Sequence, residues 1–169
     1  NNRIASAFED ISDRKRAERA LRESEQRYRT LVEAAPVSVL VARDNQYVYA
    51  NPMATSRLGF ERPEQLVGVP IMDTIHPDDH DIIRRRVERL AEGGANPVTE
   101  VRIRKRDGSV MWVESWSNPV IWDGKPATMI IGQDITQRKE AEEAYRAVVD
   151  HSLQGLLIIQ DGRVAFANP

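Results

Sequence analysis

The chain has 169 residues, 41% of them apolar and 30% charged, which suffices for one domain of about 100 residues with extensions but not for two complete cores. A net charge of −2 and a pI near 6.0 leave no strongly basic surface, so we expect no direct contact with nucleic acid or a membrane. Without cysteine there are no disulfides, zinc–thiolate sites or iron–sulfur clusters. No apolar run is long enough for a membrane span and the start does not resemble a signal peptide, so we expect a cytoplasmic location.

Two segments of the chain recur later in it, and these repeats set the expected domain boundaries. Residues 28–52 align without a gap with residues 145–169, and residues 10–18 align with residues 134–142. Repeats this far apart indicate tandem domains, because solenoid repeats have periods of about 20–50 residues. We therefore expect a piece of a longer protein. Its parts are the end of a preceding repeat (1–11), a helical linker (12–35), one complete domain (36–136), a second helical linker (137–150) and the truncated start of another repeat (151–169).

The two linkers differ in length by one heptad. Asp10 and Tyr28 are 18 positions apart, whereas the matching Asp134 and Tyr145 are 11 positions apart. A seven-residue insertion leaves an apolar helical seam on the same face, so both linkers resemble short parallel coiled coils that pair two chains. The alternative is an ordinary solvated helix, which has a similar charge content. The predicted dimer seam of the first linker consists of Ala17, Leu21, Ser24, Tyr28 and Leu31.

The central domain begins with a predicted hairpin and a short helix. Residues 37–42 and 47–50 are rich in β-branched and aromatic side chains, which favour strands. Asn51 is a good helix N-cap and Pro52 suits the first helical position, so a helix is expected from there to Gly59.

Two more helices and three strands follow. Residues 62–66 are expected to form a short helix, and a longer one begins at the acidic segment 76–79 and ends before two glycines. Strands with tight turns between them are expected at residues 98–105, 110–121 and 127–135. This order predicts an α+β fold, with a five-stranded antiparallel sheet that carries helices on one face and helical linkers at both ends.

The strand from Val110 has apolar residues on both faces. Met111 and Val113 point to one side, and Trp112 and Trp116 point to the other. Antiparallel sheets commonly leave one face in water, so we expect the tryptophan face to meet a linker helix or a second protomer. The alternative is that both tryptophans pack at the rim of their own domain.

A pocket between the sheet and the helices is expected from strand alternation and helical spacing. The same apolar residues would equally line a dry core without a ligand. The candidates are Val39, Val41, Val48, Ala54, Leu58, Met72, Ile75, Ile83, Ile103, Val113 and Ile130.

No catalytic centre is expected in this chain. It has no arrangement of nucleophile, base and orienting group and no glycine loop that could hold phosphate. His76 and His80 are spaced like a pair of metal ligands, but convincing third and fourth ligands are absent. His76 is more simply explained as the start of a helix, so no metal site is predicted.

Four motifs occur in the order and at the spacing of one known family. They are Ala50-Asn51-Pro52, Ile75-His76-Pro77-Asp78-Asp79, Asp107-Gly108-Ser109 with Trp112, and Gly132-Gln133-Asp134-Ile135-Thr136 with Arg138-Lys139. On these motifs the chain resembles PAS domains with their PAC segment over roughly residues 26–140. The resemblance implies tandem sensory domains ahead of a histidine kinase or a diguanylate cyclase. It also implies that Asp134, Ile135 and Thr136 link the last strand to the output helix.

The resemblance bears on cofactors as well. In the oxygen-sensing branch of the family a histidine of the long helix binds haem, and His80 is the matching candidate here, with a surface histidine as the alternative. The light-sensing branch needs a cysteine, so a covalent flavin adduct is excluded. We expect no cofactor.

These features together predict a dimeric relay. A ligand or an upstream twist would alter the sheet, the sheet would move residues 134–136, and the exit helix would bias an output domain, a histidine kinase more than a diguanylate cyclase. The expected partners are a second copy, neighbouring repeats and the output domain. Two rivals are a stand-alone sensor of a small ligand or of oxygen through haem, and a structural spacer that only dimerises its host.

Overall fold

The centre of the domain is an antiparallel sheet whose strands are β1 (Ser38–Arg43), β2 (Gln46–Ala50), β3 (Thr99–Arg104), β4 (Val110–Trp122) and β5 (Lys125–Asp134). Their spatial order is β2-β1-β5-β4-β3. The computed structural model describes residues 2–94, 96–150, 157–160 and 163–167, with side chains for residues 14–94 and 96–147. The predicted α+β fold with five antiparallel strands is confirmed.

Helices lie between β2 and β3 along the chain and at both ends. The α-helices are α1 (Asn2–Glu33), α2 (Pro52–Arg57), α3 (His80–Ala91) and α4 (Thr136–Asp150). Three short 3₁₀ helices, Pro63–Gln65, Ile71–Thr74 and Pro77–Asp79, connect α2 to α3. The long helix expected from His76 thus begins as a 3₁₀ turn, and the turn at Ile71–Thr74 is an addition to the predicted elements. No helix within the described residues is both long and apolar enough to cross a membrane.

The β1–β2 hairpin closes through a two-residue turn. Asp44 and Asn45 both have positive φ, 51° and 62°. Asp and Asn tolerate this left-handed region, and two such residues in succession match the right-handed twist of paired strands. The sequence Asp44-Asn45 therefore specifies where the chain reverses.

The first linker is one continuous helix. α1 has 32 residues and is about 48 Å long at 1.5 Å per residue. It begins at Asn2, so residues 2–11, expected as the end of a preceding repeat, are its first turns. Their assignment to a preceding domain stays a prediction. The seam residues Leu21, Tyr28 and Leu31 are 61%, 68% and 63% exposed, and Ala17 is also exposed while Ser24 is half-buried.

The hairpin of β6 (Leu157–Gln160) and β7 (Arg163–Ala167) copies the hairpin of β1 and β2. Leu157 pairs with Ala167 as Leu40 pairs with Ala50, and both hairpins shift register one step later. The two hairpins thus have the same strand pairing and the same bulge, as expected of two copies of one sequence pattern. The assignment of the second hairpin to a repeat stays a prediction. Residues 151–156, 161–162 and 168–169 of that predicted repeat lie outside the described residues.

Asn51 joins three parts of the backbone through one fully buried side chain. Its Oδ1 accepts from the N–H groups of Val39 and Ala54, at 3.0 and 2.9 Å. Its Nδ2 donates to the carbonyls of Val32 and Val37, at 3.1 and 3.0 Å. The side chain therefore caps α2, holds the start of β1 and anchors the last turn of α1.

Replacing Asn51 by alanine is expected to lower the free energy of unfolding by about 2–4 kcal/mol, because buried donors and acceptors lose their partner. Urea denaturation followed by circular dichroism measures the change. Asn118, an exposed asparagine of β4, provides the control, since Asn118→Ala should change stability by less than about 0.5 kcal/mol. Equal effects of the two substitutions would contradict the role of Asn51.

Candidate functional site

A cavity of about 390 Å³ lies between the inner face of the sheet and α3. Small side chains stand opposite one another on the central strands, because Gly132 of β5 pairs with both Ser38 of β1 and Ser115 of β4. All three line the cavity. Space is left here because this row has almost no side-chain volume to fill it.

Six of the eleven predicted pocket residues line this cavity and five do not. Val39, Val41, Val48, Ala54 and Met72 are absent from the lining, although Val41 and Ala54 are buried. Whether any of these residues binds a ligand stays a prediction. Those that line the cavity are Leu58, Ile75, Ile83, Ile103, Val113 and Ile130.

Strand parity explains the misplaced residues on the hairpin. Ser38, Leu40 and Ala42 line the cavity, so Val39 and Val41, which alternate with them, point to the other face of the sheet. On β2, Ala42 pairs with Tyr47 while Val41 pairs with Tyr49, which leaves Val48 as the extra residue of a β-bulge. Tyr47 therefore faces the cavity in place of Val48.

Tyr47 forms the polar part of one wall. Its hydroxyl and that of Thr74 are 2.8 Å apart, and Thr74 in turn donates to the carbonyl of Ile71. Burial raises the pKa of Tyr47 to about 12, so the phenol stays protonated at neutral pH.

Polar residues that sequence reasoning missed form another part of the lining. Arg86 of α3, Asn96 of the following loop, and Ser115 and Ser117 of β4 all line the cavity. Two signals in the sequence indicate them. Arg86 lies three positions after Ile83 in the apolar stripe of α3, and Ser115 and Ser117 continue the alternation of Met111 and Val113.

The two neighbouring histidines have local structural roles. The ring of His76 accepts from the N–H of Asp78 at 3.3 Å, which caps the turn Pro77–Asp79. Nε2 of His80 is 3.2 Å from the carbonyl of Ile75, and His80 is not part of the cavity lining. Among the described residues, no group of three or more Asp, Glu or His side chains is able to hold a metal ion.

The exit from the sheet into α4 is fixed by two hydrogen bonds to the backbone of Trp112 in β4. The N–H of Ile135 donates to the carbonyl of Trp112 at 2.9 Å, and the N–H of Trp112 donates to Oγ1 of Thr136 at 3.0 Å. Asp134 accepts from the N–H of Thr136 at 2.9 Å. Burial raises the pKa of Asp134, but the Thr136 hydrogen bonds and nearby cations outweigh it and lower that pKa overall. The three residues predicted to link the last strand to the output helix are therefore hydrogen-bonded to β4 or to one another.

Trp112 contacts two cations on the outer face of the sheet. The guanidinium of Arg102 is 5.6 Å from its ring centroid and Nζ of Lys139 in α4 is 5.3 Å away, which are cation–π distances. Lys139 also pairs with Glu100 of β3. The hydrogen bond from Lys139 is the main reason that the pKa of Glu100 is lowered. Trp112 thus contacts the exit helix, as expected, whereas the half-buried Trp116 pairs across the strands with Ile131.

Asp79, in the turn before α3, fixes the position of Arg102 in β3. Its carboxylate accepts from Nη2 and the backbone N–H of Arg102, both at 2.7 Å, and from Nε at 3.2 Å. Asp79 is 5% exposed. Burial raises its pKa, but the hydrogen bonds and charge of Arg102 outweigh burial, so the pKa of Asp79 is lowered.

A sheet of this order, with helices on one face, a cavity beneath them and a hydrogen-bonded exit to a helix, defines a PAS domain. The model of the PAS fold family matches residues 26–135, well over half of the chain. The chain therefore belongs to the PAS family. The PAS domain is a sensory module and is not itself catalytic.

Relatives of known name are signalling proteins. The chain is 30% identical over 139 residues to sporulation kinase A of Bacillus subtilis, which covers 79% of this chain and 22% of that protein. It is 27% identical over 143 residues to the two-component sensor PprA of Pseudomonas aeruginosa, covering 79% of this chain and 15% of that protein. The chain thus spans less than a quarter of the length of these relatives, and its homology to sensor kinases supports a role in signal transduction.

A solved structure of similar shape is the PAS domain of an HTR-like protein from Haloarcula marismortui. The TM-score is 0.60 at 24% identity, and the match covers 72% of this chain and 99% of that one. This similarity establishes the fold.

The buried ion pair predicts a specific pH dependence of stability. The pKa of Asp79 is lower in the folded chain than the value of about 3.9 expected when unfolded. Its contribution is therefore present above about pH 4 and is lost as the pH falls through the folded pKa. Urea unfolding between pH 7 and pH 3 is expected to show a flatter decline for Asp79→Asn, which should also be less stable by about 2–4 kcal/mol at pH 7.

The control for this experiment is Asp81, whose side chain is 74% exposed and pairs with Arg84 on the surface. Asp81→Asn should leave both the stability at pH 7 and its pH dependence nearly unchanged. A pH profile of Asp79→Asn that follows the unsubstituted chain would show that the pair does not contribute as stated.

Proposed function

We propose that this domain is a dimeric sensory relay, which receives a signal at its cavity or through α1 and passes it through α4 to an output domain. A histidine kinase is the favoured output over a diguanylate cyclase, because the relatives include a sporulation kinase and a two-component sensor. The partners are a second copy, adjacent repeats and the output domain. A cytoplasmic location and the absence of direct contact with nucleic acid or membrane remain predictions.

The observation that carries the proposal is the attachment of α4 to the sheet. The backbone N–H of Trp112 donates to Thr136, and its carbonyl accepts from Ile135. Arg138 pairs with Glu100 and Glu114 at 2.8 and 3.4 Å. The first turn of α4 is therefore bonded to two strands that also form the cavity wall. A shift of β4 is expected to move the start of α4 with it.

The entrance to the domain is attached in a similar way. Asn51 donates to the carbonyl of Val32 in the last turn of α1 and to the carbonyl of Val37 just before β1. A rotation of α1 is thus opposed by a buried hydrogen bond. This contact supports a path by which an upstream twist reaches the sheet.

Dimerisation is supported by the exposed seam of α1. Leu21, Tyr28 and Leu31 recur at heptad-related positions and are all more than 60% exposed. Large apolar side chains in such a row are covered when two helices pair in parallel. Ser24, a small polar residue at a seam position, contributes little apolar area, so we expect this pairing to be weak.

The cavity favours a second candidate, a sensor that responds chiefly to its own small ligand. For such a sensor, a small ligand in the cavity is favoured over haem bound by His80, because Nε2 of His80 is near a backbone carbonyl. The third possibility, a structural spacer, predicts dimerisation without any influence on output. No cofactor is proposed.

Leu21→Glu is expected to weaken self-association of the chain at least tenfold, about 1.4 kcal/mol, because it places a charge in the seam. Analytical ultracentrifugation measures the dissociation constant. Arg22→Glu, at the adjacent exposed position outside the seam, is the matched control and should have a much smaller effect. A chain that stays monomeric at high concentration, or equal effects of both variants, would refute the seam.

The relay itself is tested by insertions into α4 of the parent protein. The insertion point is after Glu143, beyond the contacts of Arg138 and Lys139 with the sheet. Seven residues should preserve control of the output, whereas three or four should disrupt it, since they displace the seam by about half a heptad. The activity of the output domain is measured with and without the input signal.

Identical behaviour of all three insertion lengths would eliminate the relay. If Leu21→Glu lost dimerisation while the output domain was still regulated normally, signalling through a dimer would be eliminated. A spacer would show changed association and unchanged regulation, so these two experiments separate it from the relay.

A further inference from the structure

Arg86 brings a positive charge into the apolar face of α3. Its neighbours on that face, Ile83, Val87 and Leu90, line the cavity, and Arg86 lines it too at 8% exposure. A buried arginine normally has a carboxylate or another anion as partner. The partners of Arg86 are therefore informative.

All described hydrogen-bond partners of Arg86 are neutral. Nη1 donates to the carbonyl of Pro97 at 2.7 Å and to Oγ1 of Thr99. Nη2 donates to Oγ of Ser117 at 3.0 Å and to the carbonyl of Ser115 at 3.4 Å. Among the described side chains no carboxylate pairs with Arg86, and its Nε–H has no hydrogen-bond partner there. The guanidinium is held rigidly by dipoles, but its charge is not neutralised.

The electrostatic surroundings agree with this arrangement. Burial lowers the pKa of Arg86, and the positive charge of Arg89 lowers it further. An arginine nevertheless stays protonated in proteins. A negative group next to Arg86 would therefore remove an electrostatic cost that the domain now carries.

Asn96 adds an unused acceptor beside the arginine. Its Nδ2 donates to the carbonyl of Arg86 at 3.1 Å and to Oγ of Ser117 at 2.9 Å, which fixes the orientation of the amide. Its Oδ1 is buried and has no hydrogen-bond partner. Buried polar atoms are almost always bonded, so an unbonded one in a cavity wall indicates a missing donor.

The rest of the cavity suits an apolar molecule. Leu40, Ile75, Ile103 and Met111 are among its many apolar lining residues, while Arg43, Asp44 and Asn45 of the β1–β2 turn also contribute. The volume of about 390 Å³ is within the range of small-ligand sites. The lining also includes the exposed Val87, so the cavity reaches the surface beside α3.

We propose that the cavity binds a small organic carboxylate, with its carboxylate at Arg86 and its apolar body along the aliphatic wall. A carboxylate accepts from guanidinium with charge-assisted bonds, which are about twice as strong as neutral ones. A hydroxyl or amino group next to the carboxylate satisfies Oδ1 of Asn96. The inference deepens the sensory role by naming a ligand class, yet it concerns binding alone and stands even where the relay fails.

The test compares hexanoate with 1-hexanol on the purified chain. Isothermal titration calorimetry and thermal denaturation are expected to show that hexanoate binds at least tenfold more tightly, because the two probes have the same chain and differ in charge. Equal affinities would overturn the proposal. Absence of binding by every acid from acetate to octanoate would overturn it as well.

Arg86→Met keeps the apolar stem and removes the charge, so it should abolish the preference for hexanoate over 1-hexanol. Arg86→Lys should retain part of the preference. Arg84→Met is the control, since Arg84 lies on the outer side of α3 and pairs with Asp81 at 2.6 Å. The ratio of the two affinities is the decisive readout, because a purely structural role of Arg86 would lower both equally. A preference that survives in Arg86→Met contradicts the proposal.

Ser117→Asp provides a test if Arg86→Met fails to fold. It places an internal carboxylate next to the Arg86 guanidinium, where the ligand would otherwise bind. The variant is expected to melt no lower than the unsubstituted chain and to lose hexanoate binding at least tenfold. Unchanged hexanoate binding in folded Ser117→Asp would show that the acid does not bind at Arg86.

Discussion

The buried side chain of Asn51 is the interaction on which the rest of the domain depends. An amide has two acceptor lone pairs and two donors, and Asn51 uses all four on backbone groups at the ends of three elements. It sets where α1 ends, where β1 starts and how α2 begins. Because the three elements share one residue, the position of α1 relative to the sheet is fixed, and α1 is the route by which an upstream signal would arrive.

The exit of the domain uses charge for the same purpose. Asp79 holds Arg102, Arg102 and Lys139 both contact the ring of Trp112, and Lys139 pairs with Glu100. The exit helix is thereby connected to β3, β4 and the turn before α3. The ion pairs made by α4 itself, those of Arg138 and Lys139, are partly exposed, and partly exposed ion pairs stabilise weakly. Weak contacts at the exit and strong ones at the entrance suit a domain whose output helix has to change position.

Small residues meet on the central strands where these strands line the cavity. Gly132 illustrates the constraint, since a Cβ there would be 2.9 Å from a methyl group of Val113. Where the row of small residues ends, Arg86, Asn96 and Ser117 form a polar wall instead of a closed core. The structure thus combines a rigid frame with one region whose polar groups are incompletely satisfied, and such regions are where ligands bind.

The sequence by itself determined the order and type of the strands and α-helices with their caps and turns, whereas the residues at the exit came from a resemblance to a known family. The caps and turns are local: Asn51 before Pro52 and positive φ at Asp44-Asn45 act within a few positions of the chain. Only the tertiary structure decided which face each residue occupies. One bulge opposite Val41 exchanged Val48 for Tyr47 at the cavity, and the site of Arg86 formed from α3, a loop and two strands. Register and long-range pairing depend on packing between distant segments, which periodicity in one segment does not encode.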